Sequence, residues 1–215
     1  NLVIIENAAM EPEIVDLCNF LSLLGVSFKG VGTSRLEIVG VSAKENVEIE
    51  YTIIPDRIEA GTFMIASAAT GGNITLNNIE PKHLSAVINA LEKSGTSFDI
   101  TKNTISITPS NSIEAVDITT DIYPGFPTDL QAQWVALMSL AKGSSIVTDT
   151  VYHDRFSHIP ELARLGANIK VEKNTAFIRG VKSLVAAPVM STDIRASASL
   201  IIAALAAEGE TEISR

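Results

Sequence analysis

The stretch Leu162-Ala-Arg-Leu-Gly166-Ala-Asn-Ile-Lys170 recurs in outline twice upstream, as Leu91-Glu-Lys-Ser-Gly95-Thr-Ser-Phe-Asp99 and Leu21-Ser-Leu-Leu-Gly25-Val-Ser-Phe-Lys29. The three glycines stand 70 and 71 residues apart. Each closes a run with apolar residues at helical spacing, such as Ile14, Leu17, Leu21 and Leu24 before the first. Glycine enters the left-handed region without a Cβ clash, so this placement predicts a helix C-cap followed by an alternating strand. A turn and a second strand come next: Thr33-Ser34 before Leu36-Glu-Ile-Val39, Lys102-Asn103 before Thr104-Ile-Ser-Ile107, and Lys173-Asn174 before Thr175-Ala-Phe-Ile178. These pairs read as hairpins.

A second motif precedes the first. Pro55-Asp56-Arg57 opens an apolar helix ending near Gly71, Thr128-Asp129 opens one ending at Gly143, and Thr192-Asp193 opens one ending at Gly209. Asp or Thr at the start and Gly after the last turn is the signature of a capped helix. A strand follows each glycine: Ile74-Thr-Leu76, Ile146-Val-Thr148 and Thr211-Glu-Ile213. The predicted unit is strand, helix, strand, helix, strand, strand. Residues 47–112 and 115–180 carry two nearly complete units, 185–215 the front half of a third, and 1–41 the back half of another. A repeat cut at both ends implies a longer protein. The expected fold class is α/β, with repeated βαβαββ units that are incomplete in this chain.

With 46% apolar and 19% charged residues, the 215-residue chain has ample material for a core and none of the composition of a disordered segment. One cysteine, Cys18, excludes an internal disulfide and suits a reducing compartment. No apolar run approaches the roughly 20 residues of a membrane span, and Asn1–Ile5 lacks the basic start of a signal peptide. The chain is expected to be cytoplasmic, without a membrane partner. A net charge of −9, with 16 scattered Lys and Arg, argues against nucleic acid as a partner. An anionic ligand is compatible with that charge, because fields beyond a Debye length of about 8 Å are screened and helix N-termini act locally.

Asp56, Asp129 and Asp193 occupy equivalent helix starts, so position alone leaves each open to capping or to a site role. Arg57, Arg155 and Arg195 stand at or before predicted helix N-termini, where a cation opposes the macrodipole. Arg155 and Arg195 therefore either pair with a nearby Asp (Asp154 or Asp193) or are held there by an anion. His83, His153 and His158 lack metal-ligand spacing and read as surface or capping residues. Cys18 reads as a packing residue and Trp134 as core or domain-interface packing.

Glu6-Asn-Ala-Ala-Met-Glu-Pro-Glu-Ile-Val-Asp16, Pro55-Asp-Arg-Ile-Glu-Ala-Gly-Thr-Phe63, Phe126-Pro-Thr-Asp-Leu-Gln-Ala-Gln133 and Asp193-Ile-Arg-Ala-Ser-Ala-Ser-Leu200 together carry a resemblance. In order and over essentially the whole chain, they resemble the enolpyruvyl transferase family in its UDP-N-acetylglucosamine 1-carboxyvinyltransferase branch. The octet from Phe126 is the most specific of them. The resemblance implies two inside-out α/β barrels, each of three such units, with the active site in the cleft between them. Residues 1–45 would then close one domain and 46–215 form most of the other.

The implied activity moves the enolpyruvyl group of phosphoenolpyruvate to the 3′-hydroxyl of UDP-N-acetylglucosamine and releases phosphate, the first committed step of peptidoglycan synthesis. It runs by addition and elimination and calls for no cofactor and no metal. On the resemblance, Asp129 is the base at the sugar hydroxyl, and Val151 offers its backbone carbonyl to the sugar nucleotide. Arg155, Arg195, Asp193, Asp56 and Arg57 are substrate-binding candidates. The family's reactive-loop cysteine and its N-terminal Lys-Asn pair match nothing from Asn1 onward, and Cys18 is not that cysteine. The chain alone is accordingly expected to be inactive and to need the missing parts of its parent chain or a neighbouring copy, and Leu200, Ile201, Ile202 and Leu205 are expected to be covered by residues 1–41 or by a neighbouring molecule. Two alternatives stay open: the shikimate-pathway enolpyruvyl transferase, and a noncatalytic domain built from the same repeats.

Overall fold

No position of the segment Gln131–Met138 reaches solvent; all eight residues are buried, including two glutamines. A helix apolar nearly all round can form only in the middle of a protein, and everything else in its unit is arranged about it. The computed structural model describes residues 1–41 and 48–215. They form two compact units, residues 1–55 with 122–124, and residues 56–121 with 125–215. The boundary expected between 45 and 46 lies outside the described residues.

In the first unit, β1 (Leu2–Glu6), β2 (Ser27–Lys29) and β3 (Arg35–Val39) form an antiparallel sheet in the order β1-β3-β2, with α1 (Pro12–Leu23) crossing between β1 and β2. Phe28 pairs with Ile38 in the hairpin, and Gly25 holds φ +95°, the left-handed cap read from its position. Cys18 is 4% exposed, and burial pushes its thiol pKa up. Leu17, expected on the packed face, is half exposed. The strand anticipated ahead of Pro55 is absent among the described residues: 48–55 carry no regular structure. Tyr51 is drawn to α1 instead. Its hydroxyl donates to Asp16 Oδ1 at 2.8 Å and its ring meets Phe20 edge-on at 5.5 Å.

The second unit repeats one plan. Helices α2 (Arg57–Thr70), α4 (Gln131–Met138) and α6 (Ile194–Ala206) pack on one another at its centre. Outside them lie β4 (Ile74–Asn77), β5 (Ser97–Ile100) and β6 (Thr104–Thr108) in the order β4-β6-β5, with α3 (Ser85–Lys93) between β4 and β5 along the chain. A second sheet has the order β7-β8-β10-β9, from β7 (Ile118–Thr120), β8 (Ser144–Asp149), β9 (Asn168–Glu172) and β10 (Thr175–Arg179), with α5 (Ile159–Arg164) inserted. A third begins as the parallel pair β11 (Val189–Met190) and β12 (Ile213–Ser214). Helices inside and sheets outside is the inside-out α/β arrangement that the resemblance implied. Along β8 the burial alternates, with Ser145, Val147 and Asp149 inward, as expected for a sheet with one wet face.

Local signals set most boundaries. Asp56 accepts from the N–H groups of Ile58 and Glu59, Asp193 from those of Arg195 and Ala196, and Gly71 ends α2 at φ +73°. The helix expected to run to Gly143 stops at Met138. There the chain tightens to i→i+3 bonds from Leu140 and Ala141 before Gly143 turns it at φ +103°. Of the four α6 residues expected to form one open face, Leu200 and Ile202 are buried, while Ile201 and Leu205 are 49% and 65% exposed.

The close approach of β10 to the end of α4 depends on Gly180. A Cβ there would stand 1.7 Å from the carbonyl oxygen of Ala141, and both are backbone positions held by further bonds, Gly180 N–H to Gly143 O and Val181 N–H to Ser139 O. Gly180→Ala is expected to destabilise the unit by at least about 1–3 kcal/mol, the usual cost of overpacking. Denaturant unfolding checks this, and an unchanged midpoint would refute the account.

Candidate functional site

Ala68–Gly71, Leu140–Gly143 and Ala206 line a common cavity of about 780 Å³, so α2, α4 and α6 point their C-terminal ends to one side of the unit. Their N-terminal ends therefore face the other way, and Asp56, Asp129 and Asp193 lie at that second end. Three helix N-termini there present their positive dipole ends, the arrangement that favours an anion, and the Asp56 and Asp193 carboxylates already meet two of them.

Asp56 and Asp193 cap their helices as described. Asp129 does not. It lies in the 3-10 turn Thr128–Leu130 ahead of α4, with no capping bond from its side chain. Instead its carboxylate bridges two guanidinium groups. Arg155 Nη2 stands 2.8 Å from Oδ1 and Arg195 Nη2 2.9 Å from Oδ2, with all three side chains about one-third exposed. The anion that joins the two arginines is thus Asp129, rather than the sequence neighbours Asp154 or Asp193.

Arg155, in the segment between β8 and α5, also donates from Nη1 to Thr128 Oγ1 at 3.0 Å and lies over the Tyr152 ring at 4.9 Å. Arg155, Asp193 and Arg195, with the hydroxyls of Ser191, Thr192, Ser197 and Ser214, line a second cavity of about 850 Å³. Burial by itself would raise the Asp193 carboxyl. The N–H groups of Ala196 and Arg195, the Ser157 hydroxyl and the Arg155 charge outweigh it and hold the group below its usual range. Val151, the expected carbonyl donor to a sugar nucleotide, is a partly exposed residue just after β8. Asp56 caps α2, and Arg57 is the first residue of that helix.

Sequence reasoning placed His158 at the surface or in a cap. The structure puts it at the N-cap position of α5, where its carbonyl accepts the Leu162 N–H, but with the side chain buried at 2% exposure. Burial lowers its pKa from 6.5 to about 4; Asp193 opposes that shift and Arg155 adds to it. Between those values the unfolded chain binds a proton that the folded chain refuses, so stability falls as pH drops through the window and is restored above 6.5. The full effect is roughly 3 kcal/mol. His158→Asn is expected to flatten the pH dependence of unfolding across that window. A slope that survives the substitution would assign it to other groups.

Asp149 was not singled out from the sequence, and it is fully buried. The one available signal was its register: it follows Ser145 and Val147 on the inward face of β8. Among the described residues no group of three or more His, Cys, Asp or Glu is placed to hold a metal ion. No described helix is long and apolar enough to cross a membrane.

A repeated unit with like-directed helices inside and sheets outside is the arrangement expected of an enolpyruvyl transferase domain. Comparison with solved structures agrees: the enolpyruvyl transferase NikO from Streptomyces tendae superposes with a TM-score of 0.87 at 25% identity, over 100% of this chain and 51% of that one. An EPSP synthase from Acinetobacter baumannii shares the fold, with a TM-score of 0.64 at 18% identity over 90% of this chain and 48% of its own. The profile of EPSP synthase (3-phosphoshikimate 1-carboxyvinyltransferase) matches residues 1–215, and the chain belongs to that family. Among curated proteins it is 52% identical over 212 residues to a UDP-N-acetylglucosamine 1-carboxyvinyltransferase of Thermodesulfovibrio yellowstonii, covering 99% of this chain and 51% of the relative. It is 50% identical over 209 residues to the protein of that name in Chlorobium chlorochromatii, covering 97% of this chain and 49% of the relative. The chain spans about half the length of the curated relatives it matches.

Proposed function

We propose that the full-length protein containing this chain transfers the enolpyruvyl group of phosphoenolpyruvate to the 3′-hydroxyl of UDP-N-acetylglucosamine, in the cytoplasm, as a step of peptidoglycan synthesis. The observation that carries the reading is the Asp129 carboxylate held between Arg155 and Arg195 at the N-terminal end of three aligned helices. The naming of relatives at 50–52% identity supports the choice of acceptor.

The chemistry has two halves. The sugar hydroxyl adds to C2 of phosphoenolpyruvate as a proton enters at C3. The tetrahedral adduct then loses a C3 proton and inorganic phosphate, restoring the vinyl group on the sugar. Arg155 and Arg195 are suited to the anionic oxygens of phosphoenolpyruvate, and guanidinium groups bind such oxygens bidentately. An incoming phosphate or carboxylate would compete for the N–H donors that now serve Asp129. The carboxylate would then be free to take the proton of the attacking hydroxyl, the general-base role. Val151 would offer its carbonyl to the sugar nucleotide, and Asp193, Asp56 and Arg57 would shape the rim of the helix-N-terminal end.

Phosphate release from phosphoenolpyruvate by the full-length protein tests the proposal, with UDP-N-acetylglucosamine and shikimate 3-phosphate offered separately. Release with the sugar nucleotide alone is expected. Release with shikimate 3-phosphate alone would transfer the assignment to the other branch, and release with neither would favour a noncatalytic role.

A further inference from the structure

The buried Asp149 carboxylate accepts four hydrogen bonds, none of them from the Arg155 or Arg195 guanidinium groups. Its Oδ1 accepts from the Thr120 hydroxyl at 2.8 Å, from the Val151 N–H at 2.9 Å and from the Tyr152 N–H at 2.8 Å. Its Oδ2 accepts from the Thr128 hydroxyl at 2.7 Å. Its own backbone is pinned by the β9–β10 turn, with its N–H on Asn174 O and its carbonyl on the Asn174 amide, both at 2.9 Å. Thr150 adds an N–H bond at 3.2 Å to the Thr120 hydroxyl and a hydroxyl bond to the Thr120 carbonyl.

The directions of these bonds matter. A hydroxyl has one proton. Because Thr128 gives its proton to Asp149, its oxygen presents lone pairs to Arg155 Nη1, 3.0 Å away. Arg155 in turn meets Asp129. Through Tyr152, the same carboxylate also fixes the ring on which the Arg155 guanidinium lies. One buried anion therefore governs two arms: a Thr128 arm that orients Arg155 towards Asp129, and a loop arm that sets the backbone of Val151 and Tyr152.

We propose that Asp149 is the positioning residue of the site, holding Arg155 against Asp129 through the Thr128 hydroxyl and fixing the Val151 backbone through its other oxygen. A buried carboxylate accepting four hydrogen bonds is costly to place unless each is made, and here each one ends on a site element or on the strand beside it. The functional consequence rests on the enolpyruvyl-transfer reading; the geometric consequence does not.

Asp149→Asn separates the arms. Its remaining carbonyl oxygen suits the three donors on the loop side, which puts an NH₂ opposite Thr128. The Thr128 hydroxyl must then accept, turns its proton towards Arg155 and loses that contact. Thr128→Val removes the same link without disturbing the loop, and Asp149→Ala removes both arms. In the full-length protein, Asp149→Asn and Thr128→Val are each expected to lower kcat on the order of 10²-fold, the scale for a misplaced catalytic group, with little change in the KM for UDP-N-acetylglucosamine. The double variant should be no worse than the poorer single, and Thr128→Ser should recover most of the loss. Asp149→Ala should also raise that KM. Additive losses in the double variant, or a Thr128→Val enzyme at wild-type kcat, would overturn the proposal. A crystal structure of the Thr128→Val protein supplies a readout free of activity. Arg155 beyond salt-bridge reach of Asp129, about 4 Å, is expected, and an intact pair refutes the relay even if the wild type proves to catalyse another reaction.

Discussion

Replacement of Asp129 by Ala is expected to lower kcat of the full-length protein by a factor on the order of 10² or more, the usual loss for a positioned acid–base group. Two effects act together. The acceptor for the sugar proton disappears, and Arg155 and Arg195 lose the carboxylate that holds them 2.8 and 2.9 Å away. Because Asp129 makes no capping bond, folding should not suffer the loss of about 1 kcal/mol that removing a helix cap entails. Asp56→Ala and Asp193→Ala remove real caps and should show that loss. Steady-state kinetics beside thermal unfolding of the three variants decides the matter: near-normal turnover in Asp129→Ala would reduce this residue to a structural ion pair.

The largest effect on stability is expected at Trp134. It is fully buried in α4, meets Phe126 edge-on at 5.5 Å and directs its indole N–H to the Val116 carbonyl at 3.4 Å. Trp134→Ala removes an aromatic side chain from a helix enclosed on every side, where neighbours cannot collapse far into the space. The expected cost is about 3–5 kcal/mol, a large part of the 5–15 kcal/mol that holds a typical domain together. Denaturant unfolding measures it. A loss near that of an exposed substitution would mean that α2 and α6 close over the gap, contrary to their packing here.

Which parts of this molecule the sequence announced follows from the range of the forces involved. A helix cap or a left-handed glycine is settled within a few residues of itself, so the starts at Asp56 and Asp193 and the turns at Gly25, Gly71, Gly95 and Gly166 were legible. Hairpins close over two to five residues, so their turns were legible as well. The helix expected to reach Gly143 stops at Met138, and the residues beyond it bond instead to the chain just after β10, Val181 N–H to Ser139 O and Gly180 N–H to Gly143 O, contacts made from some 40 residues away.

The sequence by itself thus determined the repeat, the caps, the apolar helices and, through the octet at Phe126, the family, and it singled out Asp129 as a candidate. Only the tertiary structure decided which of three equivalent aspartates was free of its helix, because that choice depends on Arg155 and Arg195 arriving from positions far along the chain. The same holds for Asp149, which reads in sequence as the polar end of a strand. Its four acceptor bonds come from Thr120, Thr128 and the Val151–Tyr152 backbone, and they exist only once β7, the turn before α4 and the loop after β8 have been brought together. Short-range backbone preferences are written residue by residue, whereas the pairing of buried charge is a property of the assembled core, where desolvation leaves each polar group needing a partner.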